Sequence, residues 1–312
     1  MYFPYFRGKQ YELIAIRENA KRISEANIVP IIEPVKENLS GLLRALEALV
    51  EHESKFVLIV NSQYGELRGE SSSLINEFAN EYLSKYKNFS LGYIVNTKTS
   101  LKEFSSFCKA SLSPISIIHY GYQSGKKLAE ELSDLKIDTG HIFIEEYCSR
   151  LYRSHFKSKP RVLIRDGFIT RTNREHPEAE HFSDLHITYK DEGLEGFGDF
   201  LIVGDDYNDA GGPAYAVAIH LTYIDEDEDE DMFVKHYISD RTSTPVDPGG
   251  KFLEALKKLI ADVKQPKSKI YRSEAVEEFR QYYKREHYPG LGYVKKLSMQ
   301  HHIELMAHFL GG

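Results

Sequence analysis

Acidic and basic side chains recur in this chain at one kind of place, directly after a short apolar run. Glu33 and Lys36 follow Ile28-Val29-Pro30-Ile31-Ile32, Glu145 follows residues 142–144, Arg165 and Asp166 follow 162–164, and Asp205 follows 200–203. Arg7 and Lys9 close the first apolar stretch, and His119 ends another. Side chains of these types can do definite chemistry. A carboxylate or an amine tuned toward neutrality serves as general acid or base, and Arg offers a planar fork to phosphate or carboxylate. The residues divide by role into a catalytic set (Glu33, Lys36, Asp166, Asp205) and a substrate-binding set (Arg7, Lys9, His119, Arg165). A third set (Glu145, Asp166, Asp205) offers the oxygen ligands that Mg²⁺ prefers. The competing reading is a ring of ion pairs that neutralise one another, because a buried charge is costly unless paired.

The apolar runs are the elements that must position these groups. Runs at 2–6, 28–32, 56–60, 89–95, 115–119, 142–145, 162–165 and 200–203 lack polar alternation, as strands buried on both faces do. Helical patterns separate them, among them Leu42, Leu43, Leu46, Leu49 and Val50, with Asn38 or Ser40 as the cap. Eight such repeats predict a (β/α)₈ TIM-type barrel, whose strand C-termini surround one mouth. The longest connection, 167–199, holds Arg171, Arg174, His176, His181 and His186 and is expected to contain one helix. Beyond it, 214–224 and 232–238 alternate as an appended antiparallel β-hairpin, and C-terminal helices are expected near 251–263, 273–287 and 295–309. The expected organisation is a single domain made of 1–210 (barrel), 211–240 (hairpin) and 241–312 (helices).

Composition narrows the class. At 312 residues, 41% hydrophobic and 28% charged, the chain is long enough for a barrel with additions. The formal charge of −7 is matched by the run Asp225-Glu226-Asp227-Glu228-Asp229-Glu230-Asp231 alone, so the rest of the chain is neutral overall. That balance argues against direct nucleic-acid binding. No apolar run reaches membrane-spanning length, no secretion signal is evident at the start, and two cysteines without ligand spacing read as reduced thiols of a cytoplasmic protein. There is no Walker motif, Gly-x-Ser-x-Gly elbow or dinucleotide fingerprint. Residues 204–212 resemble a calcium loop in composition only, and His301, His302 and His308 lack the intervening Glu of a metalloprotease helix and read as surface or interface histidines.

Two stretches carry a resemblance. Tyr5-Phe6-Arg7-Gly8-Lys9-Gln10-Tyr11-Glu12-Leu13 and Val29-Pro30-Ile31-Ile32-Glu33-Pro34-Val35-Lys36 resemble the beta-family proteins, named for a bacteriophage beta protein. Pro289-Gly290-Leu291-Gly292-Tyr293 and His301-His302-Ile303-Glu304-Leu305-Met306 are similar to that family's closing motif. The resemblance implies a bacterial or phage protein with a role in defence or mobile-element conflict, since some members stand beside a nuclease-like protein. It supplies no catalytic residue. Two functions are therefore expected from the residues themselves. One is a barrel enzyme that acts on a small anionic substrate, such as a phosphorylated one, by hydrolysis or acid/base chemistry. The other is a non-catalytic scaffold that restrains a partner protein through the acidic hairpin and the C-terminal helices.

Overall fold

The computed structural model describes residues 1–69, 71–208 and 212–311, without the side chains of 71 and 72. Residues 209–211, part of the 204–212 loop, lie outside the described residues, as does the expected boundary at 210. The chain divides into two compact units, Met1–Asp166 with Thr188–Asp199, and Gly167–Ile187 with Phe200–Gly312.

In the first unit, eight parallel strands are found among the described residues. They are β1 (Tyr5–Phe6), β2 (Ile31–Ile32), β3 (Phe56–Ile59), β4 (Phe89–Val95), β5 (Ile115–His119), β6 (Thr139–Ile144), β7 (Arg161–Ile164) and β9 (Gly196–Gly198), paired in that order. β9 returns to the first strand: Phe3 and Tyr5 donate their N–H groups to Phe197 and Asp199, and Phe197 donates to Met1. Those bonds complete a (β/α)₈ barrel. The strands are mostly apolar because helices cover their outer face. Helix Ser40–Glu51 shows how: Leu42, Ala45, Leu46 and Leu49 form one buried stripe. Its N-cap is Leu39, and Asn38 accepts from the Ser40 N–H just outside the helix.

The eighth strand corrects the sequence expectation. It is Gly196-Phe197-Gly198, not 200–203, so Asp199 ends the barrel and Asp205 stands beyond it in the second unit. A Cβ on Gly198 would collide with the carbonyl oxygen of Phe3. Glycine is required where two backbones approach this closely, yet its low strand propensity hides the strand from pattern reading.

The second unit contains an antiparallel sheet in the order β10 (Ala218–Asp225), β11 (Asp231–Ile238), β8 (Ala179–Ser183). The hairpin is as expected. Its third strand comes from the 167–199 connection, where only a helix was expected; residues 167–187 therefore belong with the hairpin rather than with the barrel. Val217, Ile219, Leu221 and Tyr237 pack with Phe252, Leu256 and Leu259 of helix Pro248–Asp262, Phe279 of Glu274–Arg285 and Leu297 of Leu291–Phe309. His301 and His302 are fully buried rather than superficial: His301 bonds the Ser273 hydroxyl and the Thr222 carbonyl, and His302 bonds the Thr222 hydroxyl. His308 is exposed.

Candidate functional site

The C-terminal ends of β1 to β7 carry a connected set of polar side chains. Gly8, at φ +58°, turns the chain after β1 so closely that a Cβ there would lie 2.9 Å from the Glu33 carbonyl oxygen. This brings Arg7 beside Glu33, which follows β2. Arg7 Nε donates to Glu33 Oε2 at 3.1 Å, and the Tyr5 hydroxyl donates to the same oxygen at 2.8 Å. The Gln63 N–H, after β3, donates to Glu33 Oε1 at 2.6 Å. The Arg7 guanidinium lies 4.6 Å from the Tyr64 ring centroid, and Glu12 accepts from the Arg7 N–H. The pair is buried, with side-chain exposures of 4% and 1%.

The chain of contacts continues around the strand ends. Asn96, after β4, donates to Gln63, and Asn61 is fixed by the backbone of Ile94. The Tyr64 and Tyr120 hydroxyls are 3.2 Å apart, and Tyr120 stacks on Tyr147 with centroids 4.6 Å apart. Glu145 accepts two bonds from the Arg165 fork, at 2.5 and 3.2 Å, and lies 3.9 Å from Arg153. At β9, the Tyr2 hydroxyl donates to Asp199 at 2.8 Å; burial and then the Asp199 charge hold this phenol well above its ordinary pKa, so it keeps its proton.

A cleft of about 630 Å³ opens among these strand ends, lined by Asn61, Ser62, Gln63, Asn96, Thr97, Thr99, Ser100, Tyr120 and Tyr147, with Arg68, Lys98 and Glu103 among its exposed residues. Among the described residues Arg68 and Lys98 form no ion pair. Sequence reading did not single out these two. They sit in connections after the strands, where only the fold says which loops share a mouth.

The expected site residues distribute unevenly. Arg7, Glu33, Arg165 and Glu145 belong to the strand-end ion pairs. Lys36 instead pairs with Glu66 at 3.1 Å, about half exposed, and lines a separate cleft with Gln10, Arg17 and Arg44. Lys9 is the N-cap of helix Gln10–Glu18, and Asp166 is exposed after β7. His119 points into the layer between sheet and helix. Its Nδ1 meets the Tyr152 hydroxyl at 2.7 Å, its Nε2 meets His141 Nδ1 at 2.9 Å, and its ring stacks on Phe143. Burial, then His141, holds it well below the ordinary histidine range, so it is a neutral packed group rather than an anion contact. For Mg²⁺, both Glu145 oxygens are already taken by the Arg165 fork, and Asp205 belongs to the second unit. Cys108 and Cys148 are buried free thiols, pushed by burial up to about 12 and about 11, and thus unreactive. No described helix is long and apolar enough to cross a membrane. In comparisons with known proteins, no family model matches the chain and no curated protein matches it.

Proposed function

We propose that the barrel is an enzyme that takes a small anionic molecule into the strand-end cleft and acts on it by acid/base chemistry or hydrolysis. The observation that carries this reading is the cleft itself, with cationic Arg68 and Lys98 exposed beside amides, hydroxyls and a stacked tyrosine pair. Polar groups converging at the strand C-termini are the usual place for barrel chemistry. In this reading Arg68 and Lys98 bind the anion, and Tyr120 and Tyr147 form an aromatic wall. Glu33 and Arg7 act one hydrogen bond behind the lining, by fixing Gln63, and are positioning residues. A cytoplasmic location, with unpaired thiols, fits this proposal, as does a place in phage or mobile-element conflict on the strength of the motif resemblance.

The test is recovery of small molecules from protein purified at native levels, followed by titration with inorganic phosphate. Wild type is expected to bind the anion, and the double variant Arg68→Glu/Lys98→Glu to lose at least roughly tenfold in affinity with an unchanged melting temperature. Equal binding by both proteins, or binding by neither, would remove the reading. A second reading, a scaffold for a protein partner, is favoured by Glu226, Asp227, Glu228, Asp229 and Glu230, all exposed at the hairpin tip. Under it, deletion of the tip abolishes function while the cleft variant does not.

A further inference from the structure

A second cluster, wholly within the second unit, has the chemistry of a different ligand. His220 on β10 and His236 on β11 are a directly opposed cross-strand pair, so both rings stand on one face of the sheet. His176, which follows the 3₁₀ turn Asn173–Glu175, stacks on His236 with centroids 4.3 Å apart and lies 4.9 Å from the His220 ring. One nitrogen from each of the three falls within 4.8 Å of the others. Phe168 packs its ring against His220 and closes the cluster on one side.

Glu180, on β8, sets the nitrogens. Its Oε1 lies 3.1 Å from His236 Nε2 and 3.5 Å from His176 Nδ1, while Arg171 holds Oε2 at 2.9 Å. A carboxylate that takes a ring N–H leaves the opposite nitrogen of that ring as a lone pair, the arrangement found behind metal-bound histidines. His236 Nδ1 and His176 Nε2 are thereby the ligand atoms. His220 Nδ1 faces His236 Nδ1 at 2.6 Å, a hydrogen bond between imidazoles. Burial holds His220 well below its ordinary value and His236 down to about 4, and lowers His176 as well, so the rings are neutral at pH 7.

We propose that His176, His220 and His236 form a three-nitrogen site for a divalent transition ion of the zinc class, with Glu180 as the carboxylate that orients two of the rings. Three imidazoles suit zinc, cobalt, nickel or copper, and not magnesium or calcium, which require oxygen ligands. Three protein ligands leave a fourth position for water or a substrate atom. At zinc–nitrogen lengths of about 2.0–2.1 Å, tetrahedral geometry needs the His220 and His236 nitrogens roughly 3.3 Å apart. The ion therefore replaces their hydrogen bond: His220 passes to the tautomer protonated at Nε2, which frees the Nδ1 lone pair, and the two side chains part slightly.

The experiment titrates the full chain, stripped by chelator, with Zn²⁺ and with Co²⁺. One tight equivalent is expected, with the visible absorption of tetrahedral Co²⁺, and no competition from Mg²⁺. Glu180→Gln is expected to weaken binding by roughly 10- to 100-fold, and His220→Ala/His236→Ala to abolish the tight equivalent. If that double variant does not fold, the Co²⁺ spectrum of the wild type decides. A wild type with no tight equivalent and no tetrahedral Co²⁺ band overturns the proposal, as does stoichiometry unchanged in a folded double variant.

Discussion

The barrel mouth and the histidine face of the three-stranded sheet bury polar groups in opposite ways. At the mouth, opposite charges meet: Arg7 with Glu33, and the Arg165 fork with Glu145. On the sheet, three imidazoles are gathered with one carboxylate, and that carboxylate is itself engaged by Arg171. The first arrangement consumes its charges internally and gains a rigid lining for the cleft beside it. The second joins two imidazole nitrogens by one hydrogen bond of 2.6 Å, with a third imidazole alongside, an arrangement that in our proposal opens onto a common ion. Buried charge at a strand end is thus no evidence of catalysis by that charge. What matters is whether its partners come from the protein or are left for a ligand.

The sharpest way to break this contrast is to remove one member of the buried pair. Arg7→Met takes the guanidinium away from buried Glu33, and unfolding free energy is expected to fall by roughly 3–5 kcal/mol. Chemical denaturation measures it, and a loss below about 1 kcal/mol would show that the pair is not a structural one. Next in size is acid sensitivity. Burial, then the neighbouring histidine, holds His119 well below its ordinary value, and burial with Lys159 and Arg161 brings His141 down to about 3. Both folded values lie below the unfolded one of about 6.5, so the unfolded chain binds more protons as pH falls. Their contribution is complete above about pH 6.5 and declines below it. At pH 5 the loss is about 2 kcal/mol from His141 alone, and His119 acts in the same direction. Denaturation at pH 7 and pH 5 should show that fall, whereas a flat profile would mean that the rings are charged when folded. The half-exposed counterpart is milder. Arg165→Met, at a pair with side-chain exposures of 28% and 29%, should cost no more than about 1 kcal/mol. Lys36→Ala, farther out, should change stability by less than about 0.5 kcal/mol, as surface substitutions do.

Much of the barrel is legible in the sequence because buried parallel strands are continuous apolar runs, and seven of them stand where those runs do. β9 is not, since its two glycines read as a turn although close packing against Phe3 demands them. β8, Ala-Glu-His-Phe-Ser, is short and mostly polar, and only its partner β11 makes it a strand. The strand-end polar groups are visible by position, but not their choice of partner. Nothing in spacing shows that Gln63 bridges Glu33 to the cleft, or that Lys36 turns to Glu66. His220 and His236 lie at equal distances from Glu228, so a hairpin centred there pairs them. His176 arrives from a loop before β8, and no local pattern announces it.

The most direct measurement is an anomalous-scattering map of crystals soaked in Zn²⁺ together with Mg²⁺. A zinc peak among His176, His220 and His236, with none at Glu145, is the expected result. Zinc at Glu145, with the histidine face bare and His220 still bonded to His236, would contradict it.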